Sequence, residues 1–342
     1  MQILEHISLA KHSTMRLGGN ASYACEITSH DDLLQALEWA TEHKQAIRVI
    51  GSGSNIIWSD SGYDGLLIIN SIRRFELFNE DEANTYLTLG AGEPWDAAVE
   101  RSVRAGLSGI EALSLIPGTS GATPIQNVGA YGQEISQSIA TIEAYDTVEK
   151  SFVTIPGYDC GFGYRTSRFK TNDQGRFIIT AITLHLLRTA PLPPFYPAVA
   201  SYLEQHKLSA SAASIRDAVV SIRSMKLPDP SVIGNTGSFF ENPIISAGDF
   251  IQLQSDHPEP QIPHWEVGQS VKISGAWLIE QSGFKDFHDP ATGMATWGTQ
   301  PLVLVNEHAT CTADLLAFKQ LIVNAVASKY GIQLTQEPEL VA

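Results

Sequence analysis

Two glycine- and serine-rich stretches and three scattered polar residues carry most of the chemistry that can be read from the chain. The longer stretch runs from Pro117 to Gly132, Pro-Gly-Thr-Ser-Gly-Ala-Thr-Pro-Ile-Gln-Asn-Val-Gly-Ala-Tyr-Gly. Glycines at 118, 121, 129 and 132 let its backbone approach a ligand closely and take up positive φ. Thr119, Ser120 and Thr123 set hydroxyls beside main-chain N–H groups, a composition that suits phosphate. The shorter stretch, Gly51-Ser-Gly-Ser-Asn55, leaves a strand-like Ile47-Arg-Val-Ile50. Together the two loops could hold a diphosphate between them, which points to a dinucleotide. A Rossmann loop would need a third glycine where Ile56 stands and would open a helix, whereas strand-type residues follow, so the fold is an uncommon one for such a ligand.

Ser238 lies in Gly-Asn-Thr-Gly-Ser-Phe-Phe (234–240), Arg165 closes Gly-Phe-Gly-Tyr-Arg (161–165), and Glu337 sits between Gln336 and Pro338. Taken singly these are ordinary: a turn serine, a surface arginine and an acid in a frayed tail. A neutral serine is a poor acid, and it donates a proton only where neighbours such as Lys226, Arg165 or oriented amides stabilise the alkoxide left behind. Glycosidase-type carboxylate pairs, H-E-x-x-H and G-x-S-x-G are all absent, which lowers the case for hydrolysis and leaves redox or group transfer.

The elements that must position these residues follow from hydrophobic period and punctuation. Ser29 and Asp32 form a capping pair for a helix with Leu33, Leu37 and Ala40 on one face. Strands are expected at 47–50, 56–58, 66–69 and 86–89. Pro94 opens a helix that Gly106 ends. Residues 139–145 and 152–155 read as a hairpin, 177–187 as a long strand, and Pro191 to Pro197 as a break in regular structure. Helices are expected over 214–225, from about Gly248, and over 314–330, with a buried strand at 302–305. Lys226-Leu-Pro-Asp-Pro230 is a stiff junction and a candidate domain boundary.

Composition sets the outer bounds. A chain of 342 residues with 43% apolar content exceeds one core and predicts two or three domains. The net charge of −15 argues against nucleic acid or an anionic membrane as partner. Within it, residues 165–226 hold nine Lys or Arg against three acids, a local excess able to receive an anionic small molecule. Cys25, Cys160 and Cys311 stand far apart, which indicates neither a disulfide framework nor a zinc site and makes the reduced cytoplasm the expected compartment. No metal is expected. No signal-peptide pattern is visible at the N-terminus, and no run approaches the roughly 18 apolar residues of a membrane span.

Seven motifs then combine in order: Gly-Ser-Gly-Ser-Asn-Ile (51–56), Ile-Pro-Gly…Pro-Ile-Gln-Asn-Val-Gly-Ala-Tyr-Gly (116–132), Phe-Gly-Tyr-Arg-x-Ser (162–167), Lys-Leu-Pro-Asp-Pro (226–230), Gly-Asn-x-Gly-Ser-Phe-Phe-x-Asn-Pro (234–243), Ala-Trp-Leu-Ile (276–279) and Glu-Pro-Glu (337–339). Over nearly its whole length the chain resembles the UDP-N-acetylenolpyruvoylglucosamine reductase family, type I. The resemblance implies an α+β fold: an FAD-binding domain of the vanillyl-alcohol-oxidase (PCMH) type in two α/β subdomains, 1–72 plus 331–342 and 73–227, with a C-terminal α+β substrate-binding domain over 228–330. It implies NADPH-dependent, FAD-mediated reduction of the enolpyruvyl group of UDP-N-acetylglucosamine enolpyruvate to UDP-N-acetylmuramate, a step of peptidoglycan precursor synthesis. The enzyme would be a cytoplasmic monomer.

By the same resemblance Gly51, Ser52, Gly53, Ser54, Asn55, Pro117, Gly118, Gly121, Thr123, Gly129 and Tyr131 hold FAD. Tyr164, Tyr196, Lys226, Asn242 and Gln300 hold the UDP-sugar, and Ser238, Arg165 and Glu337 are catalytic. Hydride arriving at the terminal vinyl carbon puts negative charge on the carbon bearing the carboxylate, and that charge must be stabilised. Arg165 is a permanent cation able to grip the carboxylate, Glu337 polarises it further, and Ser238 gives the proton to the α carbon. No histidine lies between His43 and His185, so FAD is expected to be non-covalent, and the absence of a second dinucleotide motif fits one cleft used in turn by NADPH and substrate. His264 or Trp265 stands where the family closes a lid aromatic over substrate. Two rival readings are an FAD oxidase of the same superfamily acting on an alcohol or sugar, and a non-catalytic flavin- or UDP-sugar-binding module.

Overall fold

A computed structural model describes residues 1–341, which divide into two units. The first comprises Met1–Ile7, Ala21–Ser52 and Asp64–Met225; the second comprises Ser8–Asn20, Gly53–Tyr63 and the chain from Lys226 onward. The chain passes between them five times, the last time between Met225 and Lys226.

The first unit carries two sheets. One has four strands in the order Leu4–Ser8, Asn20–Ile27, Tyr63–Asn70, Ile47–Ile50, the last pair parallel with Ile47 opposite Leu66. Helix His30–Glu42 buries Leu33, Ala36 and Ala40 in the core of this sheet, and the Ser29 hydroxyl accepts from Asp32 N–H as its cap. The Asp32 carboxylate does not close a box onto Ser29; it accepts from the N–H and hydroxyl of Thr28. The other sheet is antiparallel, in the order Ser151–Pro156, Ile139–Asp146, Phe177–Leu187, Asn84–Gly90, Phe75–Asn79. Its central strand Phe177–Leu187 is buried on both faces from Ile178 to Ile182, and beyond that its half-buried Thr183 and His185 hydrogen-bond Thr88 and Asn84 of the neighbouring strand. Helix Trp95–Arg104 starts after Pro94 and ends before Gly106 at φ 76°.

The proline-rich break ends earlier than its composition implies. Pro197 occupies the first turn of a helix, Pro197–Gln205, where its missing N–H costs nothing. That helix and Ala212–Lys226 share an apolar cluster of Val199, Leu203, Ile215, Ala218 and Val219, with Tyr131 and Phe195 packed against it.

The second unit is built on an antiparallel sheet, Gly234–Ser238, Gln300–Asn306, Met294–Trp297, His288–Asp289, and a smaller one, Ile244–Ser246, Ser270–Ile273, His264–Val267. Helix Thr312–Tyr330 buries Leu315, Phe318, Ile322, Val323 and Val326 in its core. Each such side chain contributes about 1.5–3 kcal/mol by leaving water. Gly331 at φ 68° then ends the helix in a left-handed cap that a side chain would strain. The tail beyond it is not frayed. Glu339–Val341 forms a parallel strand beside Ile56–Trp58, and Ser59 N–H donates to Val341 O at 2.8 Å. Among the described residues no helix is long and apolar enough to cross a membrane.

Candidate active site

In the first unit the two glycine-rich loops meet. A Cβ on Gly51 would overlap the Thr119 hydroxyl, and one on Gly121 would overlap Ala91, so both positions require glycine for close approach. The hydroxyls expected to face a phosphate are turned inward at two positions. Ser120, fully buried, donates from N–H (2.9 Å) and hydroxyl (3.3 Å) to Glu93 O, and the Thr123 hydroxyl donates to Ser120 O at 2.7 Å. With Gly121 N–H on Ala91 O at 2.9 Å, these bonds fix the loop's shape.

The loop ends in a hairpin that pairs Gly129 with Glu134 and Ala130 with Gln133. Its two-residue turn puts Tyr131 at φ 49° and Gly132 at φ 85°, a left-handed pair that leaves a tyrosine in strained backbone. The Tyr131 ring meets Tyr196 edge-on, centroids 5.3 Å apart at 82°, and its hydroxyl bonds Arg223. Burial pushes the Tyr131 phenol up and pulls the Arg223 guanidinium down, the second despite the neighbouring Asp96. Arg223 Nε is buried with no hydrogen-bond partner among the described residues.

Arg165 projects from the tight turn closed by Gly163 N–H on Thr166 O (3.1 Å), with φ 52° at the arginine itself. Its Nη2 donates to Gly129 O at 3.2 Å and its guanidinium carbon lies 5.3 Å from the Tyr164 ring centre. Asn127, buried and at φ 49°, stitches turn to loop: its Nδ2 donates to Glu134 Oε2 (2.8 Å) and Gly163 O (3.0 Å), while Ser167 Oγ donates to Ile125 O at 2.6 Å.

Three of the nine basic residues of the 165–226 segment are engaged by carboxylates. Arg168 pairs with Asp173 at 2.6 Å, Arg176 with Asp146 at 2.7 Å, and Arg216 with Asp96 at 2.6 Å. These cations neutralise carboxylates of their own unit, a use that counting charges along a sequence leaves invisible. Burial raises the Asp96 carboxyl, but Arg216 and the Leu115 N–H outweigh it and its pKa falls.

In the second unit Gly53, at φ 71°, packs so closely on His12 O that a Cβ would overlap it, and Gly53 O accepts from Thr14 N–H at 3.1 Å. Ser54 O accepts from the Thr14 hydroxyl at 3.5 Å and Asn55 O from Glu339 N–H at 3.0 Å. Ser238 ends its strand opposite Val303, after Gly237 at φ 71°. Glu337 N–H donates to Phe239 O at 2.9 Å, and Gln336 bridges Phe240, so the structure brings Ser238 and Glu337, both half-buried, to one edge. Asn242 Oδ1 accepts from Gly275 N–H at 2.9 Å at the start of helix Gly275–Gln281. Lys226 keeps solvent access while its surroundings desolvate the ammonium and lower its pKa; its carbonyl accepts from the Thr299 hydroxyl at 2.7 Å, beside half-buried Gln300. His264 is engaged with Ile262 O (2.9 Å) and the Phe250 ring (4.3 Å), whereas Trp265 is 46% exposed with the Lys272 ammonium 5.8 Å from its ring centre. Among the described residues no group of His, Cys, Asp and Glu could hold a metal ion.

Sequence reasoning counted Arg223 only as one base in a charged segment and did not single out Glu111 or Asn127. The helical spacing of Arg216 and Arg223, seven apart on one face, was the available signal for a shared target.

Comparison with known proteins adds what geometry alone leaves open. Residues 21–149 match a family model described as an FAD binding domain, and 229–341 match one described as the UDP-N-acetylenolpyruvoylglucosamine reductase C-terminal domain. The chain is 39% identical over 334 residues to the UDP-N-acetylenolpyruvoylglucosamine reductase of Cupriavidus pinatubonensis, covering 98% of each chain. It is 36% identical to that of Ralstonia nicotianae, again covering 98% of each. A crystal structure of UDP-N-acetylenolpyruvylglucosamine reductase from Thermus caldophilus matches over 100% of both chains with a TM-score of 0.69 at 22% identity, a likeness of fold.

Proposed function

The chain belongs to the UDP-N-acetylenolpyruvoylglucosamine reductase family, and from that premise we propose that it reduces the enolpyruvyl group of UDP-N-acetylglucosamine enolpyruvate to UDP-N-acetylmuramate with NADPH, in cytoplasmic peptidoglycan precursor synthesis. It is an oxidoreductase with an FAD-binding domain of the PCMH type followed by the family's C-terminal domain. The three-part division at 72/73 and 227/228, with the tail returning to the first part, is our reading of its substructure.

The residues fit a bound dinucleotide. Gly51 and Gly121 let the two loops close on Thr119 and Ala91, which sets the shape of the wall, and the orphaned Arg223 Nε beside Tyr131 is a buried donor in need of an acceptor. Gly51 to Asn55, Pro117, Gly118, Gly121, Gly129 and Tyr131 would hold FAD non-covalently, while Ser120 and Thr123, with their hydroxyls turned inward, keep the wall in shape. Bound FAD supplies hydride transfer between NADPH and the enol ether.

The protein's own groups do the rest. Arg165, held on Gly129 O, grips the substrate carboxylate as charge builds on it. Ser238 delivers a proton to the α carbon, and Glu337 polarises the carboxylate from the same edge. Tyr164, Tyr196, Lys226, Asn242 and Gln300 orient the UDP-sugar, and Trp265 is the closing aromatic.

The observation that supports this reading most is the hydrogen bond between Glu337 and Phe239, which sets an acid beside the strand end carrying Ser238. Visible spectroscopy tests it. The purified protein should carry flavin absorbance that NADPH bleaches and the enolpyruvyl substrate restores. Recovery by oxygen alone, with none on adding substrate, would favour an oxidase.

A further inference from the structure

The chain buries a glutamate that the chemistry above does not use. Glu111, only 1% exposed, begins the short turn Glu111–Leu113, and its carboxyl oxygens accept from Gly109 N–H at 2.6 Å and Gln133 Nε2 at 2.9 Å. Gln133 in turn accepts at Oε1 from Ala112 N–H, 2.8 Å. Both donors to the carboxyl are neutral, and no cation pairs with it among the described residues. Such a group is costly to bury and is retained only where its bonds fix something.

What these bonds fix is the hairpin. Gln133 stands opposite Ala130 and directly follows the Tyr131-Gly132 turn. The same hairpin offers Gly129 O to the Arg165 guanidinium at 3.2 Å and presents the Tyr131 ring to Tyr196 and its hydroxyl to Arg223. Two consecutive residues in left-handed backbone need an external tie to hold one geometry.

We propose that Glu111 is a positioning residue that acts through Gln133, holding the Gly129–Gln133 hairpin in the geometry that receives FAD and aligns Arg165; this rests on the reading of the loop as an FAD wall. The polarity of the pair gives a sharp test. In Glu111→Gln the new amide must point its NH2 at either the Gly109 N–H or the Gln133 NH2, a donor against a donor in both orientations. In the exchange Glu111→Gln/Gln133→Glu all three bonds form again and only the one between 111 and 133 reverses its polarity: Gln at 111 accepts from Gly109 and donates to Glu at 133, which accepts from Ala112.

The experiment titrates apoprotein with FAD, following flavin fluorescence, beside thermal melts of the apoprotein and kcat and KM of the loaded enzyme. The parent must bind FAD; if it does not, the reading of the loop fails, not this inference. Glu111→Gln is expected to weaken FAD about 10- to 100-fold, the loss of one strong buried hydrogen bond, and to raise the substrate KM more than it lowers kcat. The exchange should recover most of both. Should Glu111→Gln not fold, Gln133→Met cuts the same tie from the hairpin side and is read the same way. FAD affinity and KM at parent values in either single variant, or an exchange that restores the melting temperature but not the affinity, would overturn the assignment.

Discussion

Glu337 donates its main-chain N–H to the carbonyl of Phe239 at 2.9 Å, and so a glutamate near the C-terminal end lies against the residue that follows Ser238. Glu337 and Phe239 are 98 positions apart in sequence. A pairing of this range carries a high loop-closure cost, and it holds because the chain on both sides is anchored: Gln336 bridges Phe240, Lys319 donates to Gln336 Oε1 at 3.0 Å, and Glu339–Val341 joins the Ile56–Trp58 strand.

Replacing Ser238 by alanine separates the two half-reactions. NADPH should bleach the flavin of the Ser238→Ala protein at the parent rate, while reoxidation by enolpyruvyl substrate falls on the order of 10²- to 10⁴-fold, the usual worth of a positioned proton donor. Stopped-flow absorbance at the flavin band reads both. Equal reoxidation rates would remove Ser238 as the acid.

Ending the chain after Pro338 deletes the parallel strand and its bonds to Asn55 and Ser59 while leaving Glu337 present. Turnover should drop roughly 10- to 100-fold, as expected when a reacting group is misplaced by about an ångström. Steady-state assay of the truncated enzyme with FAD saturating is the check; an unaltered kcat means that the bond to Phe239 alone suffices.

The contact between the two glycine-rich loops predicts a suppressor. Gly51→Ala puts a methyl group onto the Thr119 side chain and should yield protein largely free of flavin. Adding Thr119→Gly removes every atom in the way, and part of the flavin content should return. The absorbance ratio of flavin to protein after purification measures it. No recovery in the double variant would mean that Gly51 is needed for another reason.

Asp146 predicts an acid limb in stability. Its side chain, buried in the first unit, takes hydrogen bonds from Arg176 at 2.7 and 3.1 Å, and that guanidinium holds the carboxyl down at about 2. The unfolded value is about 3.9. The folded pKa is the lower one, so the contribution is complete above pH ~3.9 and disappears as pH falls through about 2. Melting temperatures of the parent should fall steeply across that window. Asp146→Asn should start lower at neutral pH and fall less. Parallel curves for the two proteins would contradict the assignment.

Much of this was legible in the chain itself. Glycine at 121 announced close approach, though the neighbour it meets is the chain's own Ala91. Ser29, Pro94 and Gly106 marked helix ends because capping is local, and the spacing of Leu315, Phe318, Ile322 and Val326 declared a buried helical face. The order of the seven motifs carried the family. Tertiary structure alone decided the partners. It turned the Ser120 and Thr123 hydroxyls inward, paired Arg168, Arg176 and Arg216 with Asp173, Asp146 and Asp96, pinned a tail that reads as frayed, and buried Glu111 against Gln133. The reason is physical. Backbone preference and amphipathic period are properties of neighbours in sequence, whereas the partner of a buried charge or hydroxyl is whatever group the folded chain carries to it from far away.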